Sequence, residues 1–169
     1  MTATRPTQVV FIMGVAGAGK TTIGQLLAAR LDWAYHDADD FHPPGNVAKM
    51  RAGTPLTDAD RAPWLARLNA FARTEITEER NIILGCSALK ARYREQLVAG
   101  IDAMQVVYLR GSMGLIAQRL ADRRGHFMPP GLLESQFAVL EEPEDAIVVS
   151  IDRTPEEIVE QIVAAISRC

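Results

Sequence analysis

The sequence is poor in cysteine and aromatic residues and has no long apolar run. Two cysteines in 169 residues, Cys86 and Cys169, make no disulfide framework. A reducing, cytoplasmic setting is therefore expected. No apolar stretch approaches the ~20 residues needed to span a bilayer, so no membrane association is expected. The opening stretch, Met1 to Gln8, is polar and lacks the apolar core of a secretory signal. There is no excess of positive charge: Lys and Arg total 18 against 21 Asp and Glu, a formal charge of −3, with both signs mixed along the chain. Without a basic block, no nucleic-acid partner is expected. No internal repeat or low-complexity tract occurs. The length suits one domain, large enough to bury roughly 70% of its unfolded surface.

What the chain does have is concentrated near its start. The apolar run Val9-Val10-Phe11-Ile12-Met13 leads into Gly14-Val15-Ala16-Gly17-Ala18-Gly19-Lys20-Thr21-Thr22. Positions 14 to 21 fit G-x-x-x-x-G-K-[ST], the phosphate-binding P-loop. A polyphosphate needs many donors at close range. Glycines let backbone N–H groups face inward, and the N-terminus of the following helix adds positive potential. Lys20 can reach the β- and γ-phosphates, and the Thr21 hydroxyl can ligate Mg²⁺. A nucleotide phosphate is expected here, held by residues 14 to 22.

Further along, apolar periodicity alternates between strand and helix. Ile23, Leu26, Leu27 and Leu31 mark a first helix. Strands are expected at 33–37, 81–85, 105–109 and 147–151. The strand at 33–37 is less apolar than Val9–Met13 and belongs toward a sheet edge. Helices are expected at 46–51, after Thr57, at 87–100, after Ser112, at 132–140 and after Thr154-Pro155. Trp33, Trp64, Phe137, Met13, Met50 and Met104 are expected in the core. The alternation gives an α/β chain with a parallel sheet covered on both faces. Ligands in such folds sit beyond the carboxyl ends of the strands. That rule selects Asp37, Asp39 and His42 after strand two and Cys86, Ser87 and Lys90 after strand three.

His36-Asp37-Ala38-Asp39-Asp40-Phe41-His42-Pro43 forms a second constellation. Two carboxylates two apart on an extended strand point to one side. Facing the P-loop, Asp37 can hold Mg²⁺ through water, and Asp39 can take a proton from an attacking hydroxyl. Asp40 is the alternative in register. Cys86 has no His partner evident and reads as a small buried residue.

Asp37-x-Asp39 with His42-Pro43, Asn46-x-x-Lys49-Met50, and Gly53-x-Pro55-Leu56-x-Asp58-x-Asp60-Arg61-x-x-Trp64-Leu65 closely resembles the P-loop gluconate kinases. Cys86-Ser87-Ala88-Leu89-Lys90-x-x-Tyr93-Arg94, Gly125-His126-Phe127 and Leu133-x-Ser135-Gln136-Phe137-x-x-Leu140-Glu141-x-Pro143 extend the resemblance over nearly the whole chain. It implies an α/β P-loop NTPase fold, a five-stranded parallel sheet of order 2-3-1-4-5 related to shikimate kinase and the nucleoside monophosphate kinases. It further implies ATP:D-gluconate 6-phosphotransferase activity with Mg²⁺. One domain over 1–169 is implied, with a substrate region at about 39–65 and a mobile lid at about 120–132. Dimerisation is common in that family, so a homodimer is a partner to consider. Ala16 and Ala18 stand where many relatives carry serine; backbone N–H groups do the cradling there, so little effect is expected.

Gluconate is a carboxylate with a row of hydroxyls, and needs a cation at one end and short polar groups along the other. By analogy with shikimate kinase, Arg61 is the first choice for the carboxylate. Lys90 and Arg94 share a helical face and can meet the same substrate. Ser87, His42 and Asn46 can bind hydroxyls, with His126 and Gln136 as further candidates. In the lid, Arg123 or Arg124 is expected on the transferring group and Arg119 near the α-phosphate and adenine. Arg153 and Pro155 are expected to wall the adenine. Two other readings stand beside this one: another small-molecule kinase of the same fold, and a nucleotide-dependent switch. The sequence lacks the N-K-x-D segment with which a GTPase reads guanine.

Overall fold

The computed structural model describes residues 6–123 and 131–168. β1 (Val9–Met13) is buried on both faces along its whole length. Such a strand is stable only inside a covered sheet, and β1 is the central one. β3 (Ile82–Gly85) and β4 (Met104–Arg110) flank it, while β2 (Ala34–Asp37) and β5 (Ile147–Ser150) form the edges. All pairings are parallel, in the order β2-β3-β1-β4-β5. The register sets Ile12 beside Gly85 and Gly85 beside Asp37. The carboxyl ends of three strands therefore finish at one level, where the P-loop begins.

Strand alternation divides the core. Val10 and Ile12 pack with Ile23 and Leu27 of α1 (Lys20–Leu31), Ile116 of α5 (Met113–Asp122), and Ile158 and Ile162 of α7 (Pro155–Ile166). Phe11 and Met13 face the opposite layer, with Trp64, Leu65 and Leu68 of α3 (Asp58–Thr77) and Tyr93 and Leu97 of α4 (Ala91–Val98). α2 (Pro44–Arg51) and α6 (Leu132–Val139) complete the helices among the described residues. Capping boxes start α3 and α7. The Thr57 and Thr154 hydroxyls accept the third N–H, and Asp60 and Glu157 return the bond to the cap N–H.

Three expectations are corrected. The helix expected over 87–100 begins only at Ala91. Ala88 has a positive φ of 37°, and the Arg94 guanidinium donates to the Ala88 and Leu89 carbonyls at 3.0 Å each. These bonds hold 86–90 as a loop on the ligand side of the sheet. β2 stops at Asp37 as expected, but Asp37 and Asp39 do not share an extended backbone: the Asp37 carboxylate accepts the Asp39 N–H at 2.9 Å and caps a 3-10 turn over Ala38–Phe41. A carboxylate that accepts from the backbone two residues on favours such a turn over continued strand. Met50 is 41% exposed and lies outside the core, because it falls on the outer side of the short α2.

Candidate active site

The site is built at the turn from β1 into α1. Gly17 and Gly19 have φ of +81° and +99°, which disfavours any residue with a side chain. A Cβ on Gly17 would also lie 2.8 Å from Leu120. Gly19 caps α1 without a side-chain acceptor, so the first N–H groups of the helix carry no side-chain cap. They are the donors an anion would meet. The Lys20 ammonium folds back onto the Gly14 and Val15 carbonyls at 2.9 and 3.0 Å. Burial pulls its pKa down; nearby Cys86, Asp39 and Asp37 act in the opposite direction.

Two clefts meet at this loop, each of about 370 Å³. The first is lined by Ala16, Gly17, Gly19, Lys20, Thr21 and Thr22. Across from them stand Asp37, Asp39, Ser87, Arg123 and Gln136. The second is lined by Gly17, Ala18, Gly19 and Thr22 together with Arg119, Arg123, Arg153 and Pro155. Arg123 faces both. Gly14 and Val15 sit behind the loop, where their carbonyls receive Lys20. Arg119 donates to the Ile151 carbonyl, which ties α5 to the end of β5.

Asp39 stands in the first cleft beside Asp37 and Lys20. Desolvation and then the neighbouring Asp37 push its pKa up, while His42 and Lys20 pull it back. Its side chain is 80% exposed, so water in the open cleft screens much of this effect. His42 lies behind it, buried and stacked on Trp64 with ring centroids 4.2 Å apart. Burial lowers the His42 pKa, so the ring is neutral at pH 7. Its Nδ1 accepts from the Asn46 amide at 3.2 Å, which leaves the proton on Nε2, 3.7 Å from Asp39 Oδ1. At that distance the neutral imidazole and the carboxylate are neighbours, neither hydrogen-bonded nor an ion pair.

A family model for shikimate kinase matches residues 16–167. A gluconokinase of Gluconobacter oxydans is 46% identical over 90% of this chain and 87% of its own. A probable gluconokinase of mouse is 43% identical over 94% of this chain and 97% of its own. The chain belongs to the gluconokinase family. Among solved structures, a gluconokinase from Sinorhizobium meliloti superposes with a TM-score of 0.82, at 36% identity over 96% of this chain and 93% of its own. A shikimate kinase from Aquifex aeolicus superposes at 0.60 with 19% identity, over 95% and 96% of the two chains, and shares the fold.

Several residues that the gluconokinase resemblance singled out are not on the cleft wall. Arg94 is buried, and one terminal nitrogen of its guanidinium donates to both the Ala88 and Leu89 carbonyls. Asn46 is buried and divides its amide between His42 and the Asp60 carbonyl. Arg61 and Lys90 lie 5.5 and 5.7 Å from the Tyr93 ring centroid, side by side with Arg92. The buried Arg61 Nε has no hydrogen-bond partner among the described residues. Arg124 and His126 lie outside the described residues.

Sequence reasoning missed Tyr35. Its ring lines the first cleft beside Thr21, and burial pushes the pKa of its hydroxyl up. Gly24 and Gly85 make room for it: a Cβ on either would come within 2.2 Å and 2.4 Å of Tyr35 atoms. The signal was two glycines inside regular elements, which mark a close approach, but only the fold names the side chain that approaches. The buried Cys86 also lines this cleft; burial pushes its thiol up to about 12, so it stays protonated.

Proposed function

We propose that the chain transfers the γ-phosphate of ATP to the 6-hydroxyl of D-gluconate, giving 6-phospho-D-gluconate and ADP. The observation that carries the reading is one cleft in which a P-loop, its lysine and two carboxylates face each other, in a chain 43–46% identical to gluconokinases.

In this reading the P-loop N–H groups and Lys20 hold the phosphates. The adenine side lies in the second cleft, between Arg119, Arg153 and Pro155. Asp39 accepts the proton of the attacking hydroxyl, and its raised pKa brings it closer to neutral as that proton arrives. His42 lies behind this carboxylate. Arg123, with Arg124 beside it, meets the charge spread over the transferring oxygens, an effect worth roughly 10³–10⁵ in rate where an arginine supplies it. The segment at about 120–132 acts as the lid that excludes water, and about 39–65 forms the acceptor region.

The residues also fit Mg²⁺. Thr21 and Asp37 offer the hard oxygen donors this ion prefers. No cluster of three or more acidic, His or Cys side chains that could hold a metal occurs among the described residues, so the ion would be shared with the phosphates. Bound there, it would neutralise charge on the phosphate oxygens. For the acceptor carboxylate we propose Arg61, whose buried Nε has no hydrogen-bond partner among the described residues, with Lys90 beside it. Ser87 serves a hydroxyl. A cytoplasmic setting fits the two cysteines, of which the described Cys86 is a free buried thiol.

The match to a shikimate kinase model favours one second reading, a kinase for another hydroxylated acid. The test is ADP release and product formation from Mg-ATP with D-gluconate, shikimate, other sugar acids and nucleoside monophosphates. Rapid 6-phosphogluconate formation with little turnover elsewhere is expected. Turnover of shikimate with none of gluconate would overturn the substrate assignment.

A further inference from the structure

Gln136 sits on α6, yet its side-chain oxygen accepts the backbone N–H of Ala16 at 2.6 Å, across 120 residues of sequence. This is a short bond to a phosphate-loop amide, made by a neutral side chain. The segment after α6 is anchored at the acceptor side of the site. The Glu141 N–H donates to the Leu89 carbonyl at 2.9 Å, the Glu141 carboxylate accepts the Ala91 N–H, and Tyr108 donates to Glu142 at 3.2 Å. α6 therefore spans from the P-loop to the loop that precedes α4.

The two clefts locate the bond relative to a nucleotide. Ala16 and Gln136 line the first cleft, with Asp37, Asp39 and Ser87; neither lines the second, with Arg119, Arg153 and Pro155. The Ala16 N–H thus belongs to the end of the loop where the γ-phosphate and acceptor meet. One N–H has one proton to donate. A phosphate oxygen carries charge, and charge-assisted bonds are roughly twice as strong as neutral ones.

We propose that Gln136 is a positioning residue that senses the γ-phosphate: its amide oxygen occupies the donor meant for the γ-phosphate, and only a nucleotide carrying that phosphate displaces it. The inference rests on the kinase reading above. ADP leaves the Gln136–Ala16 bond intact, so α6 stays tied to the loop. ATP takes the N–H and frees the Gln136 amide at the moment the transferring group is in place. The site thereby distinguishes loaded from spent nucleotide by a single neutral hydrogen bond, whose loss changes a binding constant by about three- to tenfold.

The experiment measures Kd for Mg-ADP and for a non-hydrolysable Mg-ATP analogue by titration calorimetry, without acceptor. The proteins are the wild type, Gln136→Ala and Gln136→Glu, each checked for native circular dichroism. In Gln136→Ala the competitor is gone: the analogue binds about three- to tenfold tighter and ADP is unchanged. In Gln136→Glu a charged acceptor of similar size takes the N–H: the analogue binds more than tenfold weaker, and the loss for ADP is smaller. If the two nucleotides shift together in both variants, or neither shifts, the bond is only a structural tie and the proposal falls. Initial rates with Mg-ATP give the KM for gluconate of the same three proteins; if nucleotide affinities hold while that KM rises, Gln136 is an acceptor ligand, and the proposal falls as well. Failure of the wild type to bind either nucleotide would overturn the kinase reading itself, a result distinguishable from an unchanged ratio.

Discussion

Replacing Trp64 by Phe tests how the acceptor turn is held. The indole Nε1 donates to the Ala38 carbonyl at 2.7 Å, across 26 residues, and its face stacks on His42. Ala38 is 1% exposed and Trp64 7%, so the bond is shielded from water. Phenylalanine keeps an aromatic face but takes away the donor, leaving the buried carbonyl without its side-chain partner. That costs about 1–3 kcal/mol. The smaller ring leaves a void beside Leu65 and Leu68, and the total reaches about 2–4 kcal/mol. Against a whole stability of roughly 5–15 kcal/mol this is a large fraction. For a chain of this size it lowers Tm by roughly 5–15 °C. The same change loosens the 3-10 turn that carries Asp39, and a displacement of ~1 Å at a reacting group can cost ~10²-fold in rate. Denaturant unfolding gives the stability. Initial rates at 15 °C, with the folded fraction checked by circular dichroism, give kcat for the folded protein. An unchanged unfolding midpoint would refute the hydrogen-bond argument. A lowered midpoint with full kcat would show that the turn holds Asp39 without the indole.

Three further outcomes are expected. Asp39→Asn removes the base, so turnover is lost while calorimetry still shows nucleotide binding; in the wild type, kcat/KM falls as pH drops through an Asp39 pKa above the ordinary 3.8. Because that pKa is raised on folding, the ionised carboxylate costs the folded state some stability at neutral pH. Asp39→Asn is then slightly the more stable protein at pH 7, and the gap closes below the unfolded carboxylate pKa. Because the carboxylate is mostly exposed the gap is small, and a variant clearly less stable than the wild type at pH 7 would contradict the raised Asp39 pKa. Arg61→Ala raises the KM for gluconate at least tenfold with the ATP KM nearly unchanged; parallel changes in both would remove Arg61 from the acceptor carboxylate. Cys86, buried and with its thiol pushed up to about 12, resists alkylation by iodoacetamide at pH 8 until the protein is unfolded; peptide mass mapping separates it from Cys169, and rapid labelling of the native protein at Cys86 itself would contradict that burial.

The sequence by itself determined the parts governed by local chemistry. Glycines at 17 and 19, followed by Lys20 and Thr21, specify a loop that few other residues could form, and the uniformly apolar Val9–Met13 could only be a covered central strand. The capping boxes at Thr57 and Thr154 fixed two helix starts because the cap bonds reach only three residues. Tertiary structure decided what depends on distant partners. Whether Ala88 could begin a helix hinged on where the Arg94 guanidinium settled. Arg94 and Asn46 look like substrate ligands in sequence, because a polar side chain carries no mark of whether a carbonyl elsewhere has already engaged it. Tyr35 could be known as a cleft residue only once Gly24 and Gly85 stood against its ring. The bond from Gln136 to Ala16 joins residues 120 apart, and no periodicity or spacing encodes such a pair. Local rules act through a few bonds along the chain, whereas a site is assembled across space by the packing of the sheet and its helices.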